Sequence, residues 1–250
     1  MNHYLFQYLV HHADNALLLG QRNSEWCGHG PVLEQDIALT NISLDLIGQA
    51  RYLYQYAAEI HGDSATEDSL AYLRDARDFR NLLLLELPKG DWGFTVLRQF
   101  FFSQYQVLLF EALTQSPDEQ LAGIAEKALK EARYHRRWSG EWVVRLGDGT
   151  EESHQRMQAS LLQLWPYTGE AFMPADFEKS MAASGLAPDP TSLQQAWEAG
   201  VHDVLREATL AIPPAAWQHR GGKSGSHTEH LGFVLAEMQF LQRAYPGSSW

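Results

Sequence analysis

The chain of 250 residues has a single cysteine, Cys27, and therefore cannot form an internal disulfide. Zinc sites that need two or more cysteines are excluded for the same reason. Basic residues are also scarce: 19 Lys and Arg stand against 31 Asp and Glu, which gives a net charge of −12. The longest basic run is Arg136-Arg137. Nucleic-acid-binding proteins usually present a basic face, so we set aside DNA and RNA as partners.

Long apolar runs are absent as well. The most apolar windows, 82–85, 100–102 and 107–110, are far too short to cross a bilayer. The first residues, Met1-Asn2-His3-Tyr4, lack the basic segment followed by an apolar run that marks a signal peptide. We therefore expect a cytoplasmic protein that does not enter a membrane.

No stretch shows the alternating Val, Ile and Thr pattern that predicts a strand, whereas helical periodicity runs through most of the chain. Long helices are predicted at 4–22, 31–61, 92–115 and 117–146. Shorter ones are predicted from 66 and at 76–87, 151–172, 176–184, 191–208 and 228–244. The sequence therefore predicts one all-α domain, residues 1–250, with four long antiparallel helices as its core and additional C-terminal helices.

Local signals place several helix boundaries. The first helix should end near Gly20, and Pro31 should open the second, because proline is tolerated in a first turn. Ser116 followed by Pro117 and Glu119 predicts an N-cap at Ser116. The second helix has apolar residues on several sides, so we expect contacts from several directions. The aromatic run 100–105 favours core packing over a ligand platform.

Glu131 and His135, four residues apart on the helix 117–146, lie on one helix face. Di-iron centres in ferritin-like bundles instead take Glu-x-x-His from each of two helices, and a carboxylate from each of the other two. The one Glu-x-x-His of the chain, Glu151 with His154, lies at the start of a shorter predicted helix and not on one of the four long helices. On the helix 117–146, Ala132 stands three residues before His135. We therefore interpret Glu131 and His135 as a hydrogen-bonded pair. The alternative is a di-iron oxygenase with shifted ligands: Asp36, Asp45, Glu131 and His135.

The remaining histidines and the cysteine give weaker signals. His11 and His12 are consecutive and point to different helix faces, so they do not chelate a metal together. His227 and His230 lie at a helix start, where capping accounts for them, although their spacing would also permit a metal. Cys27 has no partner for nucleophilic chemistry and is interpreted as structural.

The segment Arg220–Ser226 is a basic, glycine-rich loop that precedes a helix. Exposed backbone N–H groups at such a position can hold an anion. Arg220 and Lys223 are therefore candidate contacts for an anion or for another subunit. A flexible connector is the simpler interpretation.

Three parts of the sequence carry a family resemblance. They are Glu25–Pro31 leading into Asp45–Tyr54, Lys130–His135, and Gly221–Lys223 with 227–232 and 235–239. Over essentially its full length the chain resembles the PaaC-type subunits of bacterial ring-1,2-phenylacetyl-CoA epoxidase. The resemblance implies a ferritin-like fold and a multicomponent monooxygenase of phenylacetate breakdown. It also implies partners: a catalytic PaaA-type subunit that carries two irons, a small third subunit and a flavin/iron–sulfur reductase. With this resemblance, the alternative role of the loop Arg220–Ser226 is a binding module that contacts the phosphates of coenzyme A or another subunit.

Matching the ligand pattern of the catalytic PaaA-type subunit to this chain implies degenerate di-iron positions. They are Ala16, Leu46, Gln49, Ser103, Ala132 and His135. A single neutral imidazole cannot offset the charge of two iron ions. The resemblance therefore implies a non-catalytic structural subunit without cofactor, which supports the di-iron subunit through a helix–helix interface and pairs with itself when alone.

Overall fold

The computed structural model describes residues 2–214 and 217–248. All regular secondary structure in these ranges is helical, with no strand, which confirms the predicted all-α class and is consistent with a ferritin-like helical bundle. The α-helices are α1 Asn2–Ser24, α2 Leu33–His61, α3 Glu67–Tyr72, α4 Leu83–Glu86, α5 Trp92–Leu113, α6 Glu119–Gly147, α7 Glu151–Leu164, α8 Asp176–Ala183, α9 Gln194–Glu207, α10 Glu229–Met238 and α11 Phe240–Ala244. None of the helices described combines the length and apolarity needed to cross a membrane.

The chain folds into two compact units. Unit 1 consists of the described residues within Met1–Pro88, Ala175–Ser180 and Arg220–Trp250, and unit 2 of those within Lys89–Pro174 and Met181–His219. Each unit contains one pair of the long helices predicted from the sequence: α1 with α2, and α5 with α6. The single-domain organisation of residues 1–250 stays a prediction.

In unit 1, α1 packs closely along α2, and Gly20 makes this approach possible. A Cβ at Gly20 would lie 3.2 Å from Cγ1 of Ile47 and 3.3 Å from the Ser43 carbonyl oxygen. The prediction that the first helix ends near Gly20 is wrong, because this glycine serves a helix contact and α1 continues to Ser24. The second helix begins at Leu33, two residues later than Pro31.

One side of α2 carries apolar side chains that are more than half exposed. Its core face, which includes Leu39, Ile42 and Leu46, is fully buried. On another face, however, Leu33, Ile37 and Leu44 are 71%, 51% and 61% exposed. The expectation that α2 is contacted from several directions therefore fails for this face.

Several shorter helices differ from their predicted bounds. The segment 76–87 is not one helix, because extended backbone at Phe79 and Leu82 separates a 3-10 turn at Ala76–Asp78 from α4. The helix predicted at 151–172 ends at Leu164, and 3-10 turns follow it. The one predicted at 228–244 is broken at Gln239 into α10 and α11.

In unit 2, α5 is buried on nearly all sides and forms the core. Phe101 of α5 packs against Trp197 of α9, with ring centroids 5.8 Å apart, and Trp197 Nε1 donates a hydrogen bond of 2.9 Å to the Phe101 carbonyl. Phe172 contacts both Trp197 and Tyr105. The aromatic run 100–105 is thus core, as predicted.

The start of α6 is shifted from its predicted position. Asp118 is the N-cap, since its carboxylate accepts a hydrogen bond of 3.0 Å from the Leu121 N–H. Ser116, the predicted cap, instead donates through Oγ to the Leu186 carbonyl. An aspartate competes well with serine for this role, and here it lies closer to the helix.

Candidate functional site

The predicted ligand positions of unit 1 lie on α1 and α2. Ala16 and Leu46 are buried, at 1% and 0% exposure, and Gln49 is 3% exposed. Two of these three side chains are therefore buried hydrocarbon that offers no ligand atom. The third is a neutral amide, which brings no charge to offset a metal ion.

The predicted positions of unit 2 lie on α5 and α6. Ser103, Ala132 and His135 are all fully buried. Ser103 Oγ accepts a hydrogen bond of 2.8 Å from Gln99 Nε2, one turn earlier on α5. Glu131, next to Ala132, is half-buried.

The six positions together provide one imidazole, one amide, one hydroxyl and no carboxylate. Ferritin-like di-iron centres rely on several carboxylates that bridge the two ions and neutralise their charge, so this donor set does not fit two irons. Across the described residues, no group of three or more His, Cys, Asp or Glu side chains is placed to hold a metal ion. That the positions are remnants of a metal site stays a prediction from the resemblance.

One of the alternative ligands, Asp36, already has a local structural role. Its carboxylate accepts a hydrogen bond of 2.8 Å from the Gly30 N–H and thereby closes the turn that precedes α2. Backbone N–H groups of Gly30 and Gly28 hold the pKa of Asp36 below its usual value. This use of Asp36 weakens the alternative of shifted ligands. In the same connector, Cys27 is exposed, so its side chain does not belong to the core.

The loop Arg220–Ser226 is packed and does not behave as a flexible connector. A Cβ at Gly222 would collide with the Asn81 carbonyl, and one at Gly225 with the Arg77 carbonyl. Lys223 is buried, and its Nζ lies 2.9 Å from both carboxylate oxygens of Glu178. Its charge is thus compensated within unit 1, whereas Arg220 is exposed. A contact to an anion or a partner stays a prediction, and Arg220 is the better placed of the two.

The ion pair of Lys223 belongs to a larger polar network in unit 1 that the sequence pattern did not predict. Asp14 of α1 accepts hydrogen bonds from Tyr54, from Arg74 and from the Arg80 N–H. The signal was present in the sequence, because Asp14 is a charged residue between the buried Ala13 and the buried Leu17. Its partners lie up to 66 positions away, so periodicity could not identify them.

A second part of this network centres on Glu86, whose side chain is fully buried. Its Oε2 lies 2.8 Å from Nδ1 of His227 and accepts a hydrogen bond of 2.8 Å from Asn81 Nδ2. His227 Nε2 donates to the Phe79 carbonyl, at 3.0 Å. Burial lowers the pKa of His227, but the hydrogen bond and the charge of Glu86 outweigh burial and raise it. Both ring nitrogens are engaged, which argues against a metal at His227 and His230.

The pair His11 and His12 is buried in α1. His11 Nδ1 donates to the Arg80 carbonyl at 2.6 Å, and Asn15 donates to His11 Nε2 at 3.2 Å. The imidazole that donates from one nitrogen and accepts at the other is neutral. Burial, the neighbouring His12 and Lys223 keep the pKa of His11 well below its usual value. Burial and the charge of Lys223 lower the pKa of His12 to about 3.

On the outside of unit 1, α2 presents an exposed apolar face, here named the α2 stripe. It consists of Leu33, Ile37 and Leu44, and their spacing of four and seven residues aligns them along one side of the helix. Each of the three is more than half exposed. Apolar side chains aligned on one uncovered face are a feature of protein–protein interfaces.

The helical architecture and this arrangement of residues define an all-α protein with a ferritin-like pattern of long helices. The whole chain, residues 1–250, matches the family described as phenylacetic acid catabolic protein, and the chain belongs to that family. A relative from Escherichia coli strain K12, the C-subunit of 1,2-phenylacetyl-CoA epoxidase, is 50% identical over 246 residues. The match covers 98% of this chain and 99% of the relative.

Proposed function

We propose that the chain is a non-catalytic structural subunit of a 1,2-phenylacetyl-CoA epoxidase complex in aerobic phenylacetate catabolism. The observation that carries this proposal is the 50% identity, over nearly the full length of both chains, to the Escherichia coli subunit of that epoxidase. A subunit implies partner subunits. We expect these to include a PaaA-type subunit that holds the di-iron centre, a small subunit and a reductase, and the complex to be cytoplasmic.

The donor set of the chain supports the non-catalytic part of the proposal. Ala16, Leu46 and Ala132 place buried hydrocarbon where the di-iron pattern requires carboxylates. A buried carboxylate would itself be costly without a metal or another positive partner. Apolar side chains at these positions therefore favour a stable helical scaffold over metal chemistry, and we expect any iron to reside in the partner chain.

The α2 stripe supports the structural part of the proposal. Obligate subunit interfaces commonly bury more than about 2,000 Å² and are more apolar than the rest of the surface. Leu33, Ile37 and Leu44 provide a row of apolar side chains on a rigid helix, which suits a contact with a helix of the partner. Without the partner, the same face would favour pairing of two copies of this chain.

Co-expression with the PaaA-type subunit tests the proposal. We expect size-exclusion chromatography to show one stable complex, and epoxidase activity to require both chains. The chain on its own should have no epoxidase activity with reductase and phenylacetyl-CoA supplied. Activity of this chain alone, or full activity and stability of the PaaA-type subunit without it, would overturn the proposal.

A further inference from the structure

Unit 2 contains a groove of about 800 Å³ that the proposed function does not use. Helices α6 and α9 form its two walls, and the buried Phe100 and Gln104 of α5 form its floor. Gly140 and Gly200 face the groove without side chains; a Cβ there would lie 3.4 Å from the Phe100 ring and 2.5 Å from Gln104 Nε2. The volume is within the range of small-molecule sites, roughly 300–1,000 Å³.

The α6 wall of the groove is basic in a chain of net charge −12. It carries four arginines, Arg133, Arg136, Arg137 and Arg145, against one carboxylate, Glu141. From the first to the last, the wall extends about 18 Å at 1.5 Å per residue. A planar guanidinium binds phosphate or carboxylate through two parallel hydrogen bonds, so this wall suits an elongated anion.

Two of these arginines are not compensated within the part of the chain that the structure describes. Arg133 pairs with Glu111 at 2.9 Å, and Arg145 lies 3.9 Å from Glu141. For Arg136 and Arg137, the described residues place no carboxylate within ion-pair distance. Arg137 instead lies over the Tyr134 ring, 5.8 Å from its centroid. Arg136 and Arg137 therefore keep their charge available for a ligand.

The α9 wall has the opposite character. Asp203 and Glu207 line it, and Asp203 pairs with Arg206 at 3.0 Å. Carboxylates on this side would repel a second row of negative charges but accept hydrogen bonds from hydroxyl or amino groups. Between the walls, Val144, Val204 and Phe100 offer apolar contact. The groove therefore fits a ligand that is anionic along one edge only, rich in donors along the other, and flat and apolar between.

We propose that this groove binds a ribonucleotide diphosphate, with the phosphates on Arg136 and Arg137 and with hydroxyl or amino donors facing Asp203 and Glu207. An inorganic anion satisfies the α6 wall but gains little from the α9 wall, because it has few donors for the two carboxylates. The diphosphate has two sources, a free nucleotide or the nucleotide end of coenzyme A. The inference rests on the groove alone and stands or falls independently of the proposed function.

Isothermal titration of the full chain with ADP, coenzyme A and inorganic pyrophosphate tests this proposal. We expect ADP or coenzyme A to bind at least 10-fold more tightly than pyrophosphate, and the binding to weaken as salt rises. The double variant Arg136→Gln with Arg137→Gln should weaken binding at least 10-fold. Arg156→Gln, an exposed arginine of the same unit outside the groove, is the matched control and should bind as the native chain does.

The relative affinities identify the source: tighter binding of coenzyme A than of ADP indicates the coenzyme, and equal or weaker binding indicates a free nucleotide. Three results would each overturn the proposal. They are the absence of heat with both nucleotides at millimolar concentration, equal affinity for pyrophosphate, and unchanged nucleotide binding in the Arg136/Arg137 double variant. Circular dichroism of every variant confirms that the helices are intact before binding is compared.

Discussion

Lys223 is a residue whose role changes once its surroundings are known. In the sequence it belongs to a basic loop that could meet an anion, yet its Nζ lies inside unit 1 between the two oxygens of Glu178. Both side chains are almost completely buried, at 6% and 1% exposure. In such a place each charge depends on the other, because neither can be solvated by water.

Removal of this lysine charge should be strongly destabilising. We expect Lys223→Met to lower the free energy of unfolding by about 3–5 kcal/mol, because Glu178 would be left buried and uncompensated. Adding Glu178→Gln to that variant should restore part of the loss. Urea unfolding followed by circular dichroism measures both. Arg220→Met, in the same loop but exposed, is the control, and an equal loss there would contradict the assignment.

His12 makes a prediction about acid stability. Its pKa is about 3 in the folded chain, against about 6.5 when unfolded. Between about pH 3 and pH 6.5, His12 is protonated in the unfolded state but neutral in the folded state. The contribution of His12 to stability is therefore full above about pH 6.5 and falls as the pH decreases. For one such group, the free energy of unfolding should be about 2 kcal/mol lower at pH 5 than at pH 7.

The variant His12→Phe tests this dependence of stability on pH. A phenyl ring can keep the edge-to-face contact with Tyr8, in which the two ring centroids lie 4.4 Å apart. Urea unfolding at pH 7 and pH 5 should show a clearly smaller acid loss in the variant than in the native chain. His29→Phe changes an exposed histidine and should leave the loss as it is. Identical pH slopes in native chain and His12→Phe would disprove the role of His12.

Among the helices, the long ones were predictable from the sequence, and so were α8 and α9, whereas the segments 76–87, 151–172 and 228–244 were predicted less well. Helices α5 and α6 follow from local composition, and their bounds differ from prediction by at most two residues, although the N-cap of α6 is Asp118 and not Ser116. The segment 76–87 could not be predicted in the same way. Its backbone is set by distant partners, as where Asn15 Oδ1 accepts a hydrogen bond of 2.7 Å from the Leu82 N–H, 67 positions away.

The candidate site shows the same division. The lack of Glu-x-x-His on the four long helices is a local pattern, so the sequence alone disclosed it. The buried pairs Glu178 with Lys223 and Glu86 with His227 join residues 45 and 141 positions apart, and no local pattern reports such pairing. The exposure of the α2 stripe could not be predicted from the sequence either, because Leu33, Ile37 and Leu44 are as apolar as the buried residues of the same helix.

The α2 stripe yields a prediction for subunit assembly. Ile37→Asp together with Leu44→Asp should leave the isolated chain folded, because both side chains are more than half exposed. The variant should raise the Kd for the PaaA-type subunit at least about 10-fold if these residues lie in the interface core. Size-exclusion chromatography and titration against that subunit measure the change. Leu162→Asp, on the exposed face of α7, is the matched control, and equal binding by both variants would exclude α2 as the docking face.

For the molecule as a whole, we expect folding to rely on interactions other than metal coordination. Unit 1 joins three separated parts of the chain. Its buried ion pairs and hydrogen bonds link α1 to the segment 74–86 and residues 175–180 to the loop 220–228. Unit 2 is centred on α5 and its aromatic neighbours. Neither set of contacts uses a metal ligand, so we expect the chain to fold to full stability without iron.

Iron loading separates this scaffold from a di-iron oxygenase. A ligand that binds only the folded state raises its stability by RT ln(1 + [L]/Kd), about 2.7 kcal/mol at 100 times Kd. We therefore expect anaerobic addition of ferrous iron to leave the melting temperature of this chain unchanged, and metal analysis after desalting to find no stoichiometric iron. The PaaA-type subunit, treated identically, should retain iron and melt at a higher temperature. Two irons per chain in this protein would establish the oxygenase with shifted ligands instead, and the Glu131→Gln variant would then be the first to examine for iron loss.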